Sequence, residues 1–373
     1  MRGGEKVLEA ICELYPNATI FTLVQVPGSV SKRIEAHRIK RSLVQWLPAA
    51  SRQYRNYLPL FPTAVELFDL DAYDLVISSS HCAAKSVLRA PGATHVCYCH
   101  SPMRYAWDQF DAYFGPAQVG PTRSWLLRPI LAGLARWDAA TAGRVDRFLA
   151  NSQYVAGRIR RYYNRGSTVV YPPVDTAFYR LPEPPRRRLP ESSFLIVSAL
   201  VPYKRIDLAI DACRKARMPL KIVGRGPEEA RLRSAAGPDV EFLGWRSDDE
   251  IRDLYGRAIA VLLPGTEDFG MVPVEAQACG TPVVALGAGG ARETVIDGVT
   301  GVLVEAESAD AFAEGLTRVR SLTTAPETIR ENAERFSRTR FLTDFQAAVS
   351  DSLAASGRAS RAAQGERAAE MPR

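Results

Sequence analysis

Short apolar runs rich in β-branched residues recur along the chain, each followed by a stretch of helical spacing, and this rhythm restricts the fold more than any other feature. The runs fall at 19–24, 74–78, 95–98, 147–150 and 167–171, and after a Pro- and Arg-rich stretch at 182–190 they resume at 194–197, 220–223, 240–243, 259–263, 282–285 and 300–303. Strands that are apolar on both faces and alternate with helices build parallel sheets covered on both sides. The expected fold class is therefore α/β, with two doubly wound Rossmann-like domains: residues 1–171, a linker at 172–192, and residues 193–336. A helix at 337–353 is expected to pack back on the first domain. Residues 354–373, rich in Ala, Arg and Ser without an apolar period, are expected to be a disordered tail. The chain opens with Met1-Arg2-Gly3-Gly4 directly before an amphipathic stretch at 5–14, which reads as a strand-to-helix glycine loop without its strand. A sheet lacking that strand would expose an edge, so the true start is expected upstream.

A chain of 373 residues exceeds what one core serves, and 46% apolar with 24% charged residues is ordinary for globular domains. Six cysteines stand singly except Cys97 and Cys99, which share one strand face without further ligands, so they read as reduced buried thiols and not as a zinc site. No signal-peptide pattern and no apolar run of roughly 20 residues is present, and the expected place is the cytoplasm, at most on the inner face of the cell membrane. Residues 1–170 hold 21 Lys and Arg against 12 Asp and Glu, whereas the remainder hold 27 against 29. The basic excess thus belongs to the first domain, where it attracts nucleic acid, anionic lipid or phosphorylated substrate without choosing among them.

Ligands of parallel sheets bind beyond the carboxyl ends of the strands, which directs attention to the loops there. The most informative run is 262–282, LLPGTEDFGMVPVEAQACGTP. A strand ends at Pro264, a turn presents Glu267, a short helix starts near Pro273, and Gly280 stops it. This pattern puts Glu267 above the strand and Glu275 in the first helical turn, with the amides of Gly270, Met271 and Val272 between them. Such a helix start suits a phosphate, and the carboxylates suit sugar hydroxyls. Taken alone, the pair is read sooner as a solvated loop charge at Glu267 and a partner of the helix dipole at Glu275.

Glu267 and Glu275, with seven residues between them that include Phe269-Gly270, resemble the E-x7-E motif of the family 4 retaining glycosyltransferases, which have the GT-B fold of two domains facing across a cleft. The likeness extends through 197–207 (VSALVPYKRID), 222–227 (IVGRGP), 242–245 (FLGW) and 289–293 (GGARE), in the family's order. It implies that Glu275 holds the ribose, Glu267 the transferred sugar, and Lys204 with Arg205 the diphosphate, while Gly224 and Gly226 let backbone approach the ligand and Leu243 lies near the base. Two cations there would stabilise charge growing on the leaving group. The segment Ser198-Ala199-Leu200 lacks an arginine that many members carry, so that contact is lost or falls to Arg205. In the first domain Gly3 and Gly4 match the family's phosphate-facing glycine loop. His100 matches the histidine facing the sugar, with Arg104 and Tyr105 on the acceptor side.

The resemblance further implies same-face attack with retention, a nucleotide-sugar donor with mannose from GDP-mannose as the closest likeness, and a glycan or polyprenyl-linked acceptor of a surface polysaccharide or glycolipid. No cofactor or metal is expected, because Asp69-Leu70-Asp71, which mimics a metal-binding pair, precedes a strand of the other domain and reads as a solvated turn. Residues 125–137 carry apolar residues at helical spacing with Trp and Arg, and 37–60 repeat the theme. Both read equally as cover for the first sheet or as a peripheral contact with anionic membrane. Two other functions are kept in view: a sugar-nucleotide epimerase on the same fold, and a basic nucleic-acid-binding protein. The second is disfavoured, since no reader motif accompanies the charge and the acid pair would go unexplained. A dehydrogenase is disfavoured as well, because neither domain opens with a complete Gly-x-Gly-x-x-Gly.

Overall fold

The computed structural model describes residues 3–183 and 192–369. The chain divides into two compact units, residues to Tyr171 together with those from Phe341 onward, and Pro172–Arg340.

The first unit holds a parallel sheet in the order β3-β4-β5-β6, formed by β3 (Leu75–Ser80), β4 (Thr94–Cys99), β5 (Arg147–Ala150) and β6 (Ser167–Val169). A separate parallel pair joins β1 (Ile20–Thr22) to β2 (Ile39–Arg41). β4 is buried on both faces, as its unbroken apolar character requires: Val96 and Tyr98 join one cluster, while Cys97 and Cys99 join another. The segment 37–60, expected to repeat the helical theme of 125–137, instead forms β2 and three short helical pieces at Leu43–Trp46, Ala50–Gln53 and Tyr54–Leu60. Pro48 and Pro59 interrupt the helical hydrogen-bond ladder there, and periodicity alone does not register that. The residues at 125–137 do lie in one helix, Pro121–Ala140.

The second unit is one six-stranded parallel sheet, β12-β11-β10-β7-β8-β9. Its strands are β7 (Phe194–Val197), β8 (Leu220–Val223), β9 (Val240–Gly244), β10 (Val261–Leu263), β11 (Val283–Leu286) and β12 (Gly301–Val304). The order reverses between β7 and β10, so the loops after those two strands stand side by side at the switch point of the sheet.

Part of the expected linker is built into this unit. Val174 bridges Ser337, Arg330 donates to the carbonyls of Thr176 and Tyr179, and Tyr179 is buried against Tyr255 with ring centroids 5.9 Å apart. Residues 184–191 lie outside the described residues. The last helix runs Arg338–Ala369, well beyond the expected end at 353. Ala and Arg favour helix intrinsically, so a stretch without an apolar period keeps a helical backbone. Residues 370–373 of the expected tail lie outside the described residues. No helix among the described residues is long and apolar enough to cross a membrane.

Candidate functional site

After β7 the chain makes a tight turn at Pro202–Lys204, and Arg205 adopts the left-handed conformation (φ 50°, ψ 41°) before the helix Ile206–Ala216. The turn holds Lys204 at the rim, where its Nζ donates to Glu267 in the loop after β10. Both side chains are largely withdrawn from solvent, so the pair is held firmly. The two loops also touch through backbone: a Cβ on Gly265 would stand 2.4 Å from the Tyr203 carbonyl oxygen, which only glycine avoids. Arg205 turns elsewhere and pairs with Glu307 and, at 3.5 Å, with Asp207.

The loop carrying Glu267 is braced from the other side. The amide of Gly290 donates to the Glu267 carbonyl at 2.8 Å, and Phe269 packs edge-on against Phe336. Gly270, at φ 84°, leads into the helix Met271–Ala278, which no side chain caps at its start. Gly280 and Thr281 close it by donating to Gln277 and Ala276. Since this helix begins at Met271 and not near Pro273, Glu275 lies in its second turn, not in the first as the sequence suggested. Its carboxylate is buried and accepts a hydrogen bond from Tyr255 Oη at 3.1 Å. A partner of the helix dipole would sit exposed in the first turn, so that reading falls away for Glu275. Burial, followed by the charge of Glu275, pushes the Tyr255 phenol well above its ordinary range, which keeps it a donor.

The loops after β8 and β9 complete this end of the sheet. Gly224 (φ 132°) has its amide on the Gly244 carbonyl at 2.8 Å, and Cβ atoms on Gly224 and Gly226 would fall 1.8 Å and 2.2 Å from the carbonyl oxygens of Ser198 and Leu200. Leu243 is half-buried at the end of β9.

In the first unit Gly3 and Gly4 open the helix Gly3–Leu14 and form no free loop. A Cβ on Gly4 would stand 3.7 Å from the His100 imidazole, so the first helical turn lies against that ring. His100 follows β4, shares a hydrogen bond of 2.8 Å between Nε2 and Ser79 Oγ, and accepts from Asn151 Nδ2 at its carbonyl. Burial, with the positive charge of His81 and Arg104 adding to it, lowers its pKa to about 3. Tyr105 hydrogen-bonds Cys82 Sγ at 2.6 Å and joins the core, while Arg104 is half-buried. Asp69 and Asp71 are exposed, with the Asp71 amide donating to Asp69 Oδ1, and no group of three potential metal ligands occurs among the described residues.

Sequence reasoning missed Tyr255, Ser79 and a fully buried pair, Lys85 and Asp138. Lys85 Nζ lies 3.0 Å from Asp138 Oδ1, while Asp138 Oδ2 accepts from Trp107 Nε1 at 2.8 Å and Tyr163 Oη at 2.9 Å. Two charges at apolar-spaced positions, Lys85 beside Val87 and Asp138 on the buried face of its helix, were the available signal.

Chemically, the second unit presents an ammonium on a carboxylate, an uncapped helix start and a buried carboxylate one turn in, all at one end of a parallel sheet. That set suits an anion bearing hydroxyl groups. Residues 1–178 match the family model "Glycosyltransferase Family 4" and residues 181–336 the model "Glycosyl transferases group 1". A D-inositol 3-phosphate glycosyltransferase of Salinispora tropica is 33% identical over 49% of this chain and 45% of its own length; one of Mycobacterium leprae is 29% identical over 69% of each. The chain spans about half the length of most of the curated relatives it matches. The crystal structure of Anabaena HepE in complex with UDP and glucose superposes with a TM-score of 0.68 at 22% identity, over 94% of this chain and 96% of that one. The two family models together take in nearly all of the chain, and with the fold they place it among the family 4 glycosyltransferases of GT-B architecture.

Proposed function

We propose that this chain transfers a hexose, with retention of configuration, from a nucleoside-diphosphate sugar to a glycan or lipid-linked acceptor. The observation that carries the reading is the Lys204–Glu267 pair set before the uncapped start of the Met271–Ala278 helix, with Glu275 one turn behind. In this reading Glu275 holds the ribose and Glu267 the hydroxyls of the hexose. The amides of Gly270, Met271 and Val272 and the Lys204 ammonium take the diphosphate. As the bond from the hexose to the diphosphate breaks, the negative charge gathers on the leaving oxygen, which Lys204 stabilises. That oxygen accepts the proton of the acceptor hydroxyl attacking on the same face, so the protein supplies position and electrostatics. His100 is neutral at physiological pH and transfers no proton in this reading. The reaction needs no metal, and activity is expected to persist in EDTA.

Mannose from GDP-mannose is the donor that the motif resemblance favours, while a similar solved protein holds UDP and glucose. A thermal-shift panel with GDP-mannose, UDP-glucose and their parent nucleotides tests the site, since a ligand that binds the folded chain raises its midpoint by mass action. One nucleotide sugar should stabilise the protein, Glu275→Ala should weaken that response at least tenfold, and Lys204→Ala should abolish transfer. Equal response of both variants and the unaltered chain would remove the reading. Acceptor trials start from D-inositol 3-phosphate, which the names of the curated relatives carry, and from polyprenyl-linked sugars.

A lipid-linked acceptor fits the helix Pro121–Ala140, which exposes Trp125 (72%), Leu126 and Ile130 beside Arg123 and Arg128, a combination suited to an anionic bilayer interface. Vesicles containing anionic phospholipid should co-sediment the protein, and Trp125→Ser with Ile130→Ser should release it. Sedimentation indifferent to lipid charge would argue against the contact.

A further inference from the structure

The loops after β7 and β8 continue their parallel pairing beyond the strands. Ser198 N donates to Val223 O at 3.0 Å and Leu200 N to Arg225 O at 3.1 Å, while Gly224 and Gly226 lie against the carbonyls of Ser198 and Leu200. This register sets Arg225 alongside Ala199, and both are exposed at the carboxyl end of the sheet. The arginine side chain runs toward β9, its Nε 3.9 Å from where a Cβ on Gly244 would lie.

The other cations around this rim are matched by carboxylates: Lys204 by Glu267, Arg205 by Glu307 and Asp207, Arg246 by Glu250 and Arg292 by Glu305. Arg225 makes no ion pair among the described residues. An arriving anion must compete with a carboxylate for Lys204 or Arg205, but not for Arg225. The planar guanidinium also presents a fork of donors matched to phosphate oxygens. The flanking glycines hold the backbone of the neighbouring strand too close for any side chain to intervene, so the placement is built into the turn.

We propose that Arg225 binds the phosphates of the donor nucleotide from the β8 loop, as a cation held ready for them. This deepens the reading given under Proposed function and rests on it. The test is isothermal titration calorimetry of the full chain with uridine, UMP and UDP and with guanosine, GMP and GDP, at two salt concentrations. Arg225→Ala should weaken the preferred diphosphate at least tenfold, leave the matching nucleoside within about twofold, and flatten the salt dependence. Arg225→Lys should fall between, and adding Ala199→Arg to Arg225→Ala should restore diphosphate affinity, because position 199 lies alongside. Diphosphate affinity kept in Arg225→Ala but lost in Lys204→Ala overturns this proposal alone, as does an equal loss for nucleoside and diphosphate. Failure of the unaltered chain to bind either diphosphate overturns the site reading and this proposal with it.

Discussion

His100 shows how much a single side chain's environment decides. At the end of a strand a histidine is ambiguous, and the residue alone does not say whether it carries a proton. An unfolded histidine titrates near pH 6.5, whereas burial lowers His100 to about 3 and the fully buried His95 to about 4. Above pH 6.5 both states are neutral and nothing is lost. As the pH falls from 6.5 toward 4 only the unfolded chain takes up these protons, and stability drops by about 1.4 kcal/mol per pH unit for each ring, with His100 alone continuing toward 3. Urea unfolding between pH 6.5 and 5 should show this slope, and His100→Gln should flatten it by one ring's share. An NMR titration should find the His100 ring neutral above about pH 5; a midpoint near 6.5 would contradict the burial. The resemblance located this histidine, but its hydrogen bond to Ser79, 21 positions away in the chain, was not legible.

Among the elements, the helix Pro121–Ala140 does the most for the segment after His100. Its outer face exposes Trp125 and Ile130, and its inner face delivers Asp138 to Lys85, Trp107 and Tyr163. Trp107 closes the short helix Arg104–Trp107, so the buried carboxylate anchors the residues that follow β4. Asp138→Ala would leave the Lys85 ammonium buried without a counter-charge and should cost about 3–5 kcal/mol in unfolding experiments. A loss below about 1 kcal/mol would mean that water replaces the carboxylate. The helix itself was legible from its spacing, whereas 37–60 was not, because its prolines break a pattern that side-chain periodicity alone presents as continuous.

At the scale of the molecule, the last helix belongs to the unit formed by the first residues of the chain. Phe341 and Phe345 pack on Tyr98 with ring centroids 5.7 Å and 6.1 Å away, beside Val7, Ile11 and Leu149. Phe345→Ala should therefore destabilise the first unit by about 3–5 kcal/mol, read as hydrogen exchange at Val96 and Tyr98, with the strands of the second unit protected as before. Accelerated exchange confined to β7–β12 would refute the assignment. The alternation of apolar runs by itself determined two parallel α/β sheets, and the acid spacing at Glu267 and Glu275 marked the working end of the second, because strand burial and turn chemistry are local in sequence. Only the tertiary structure decided that Glu275 sits in the second turn under Tyr255, that Lys204 meets Glu267 while Arg205 turns to Glu307, and that Arg225 stands beside Ala199. Each of these joins residues far apart in the chain, and their meeting depends on sheet order and register, which no local pattern encodes.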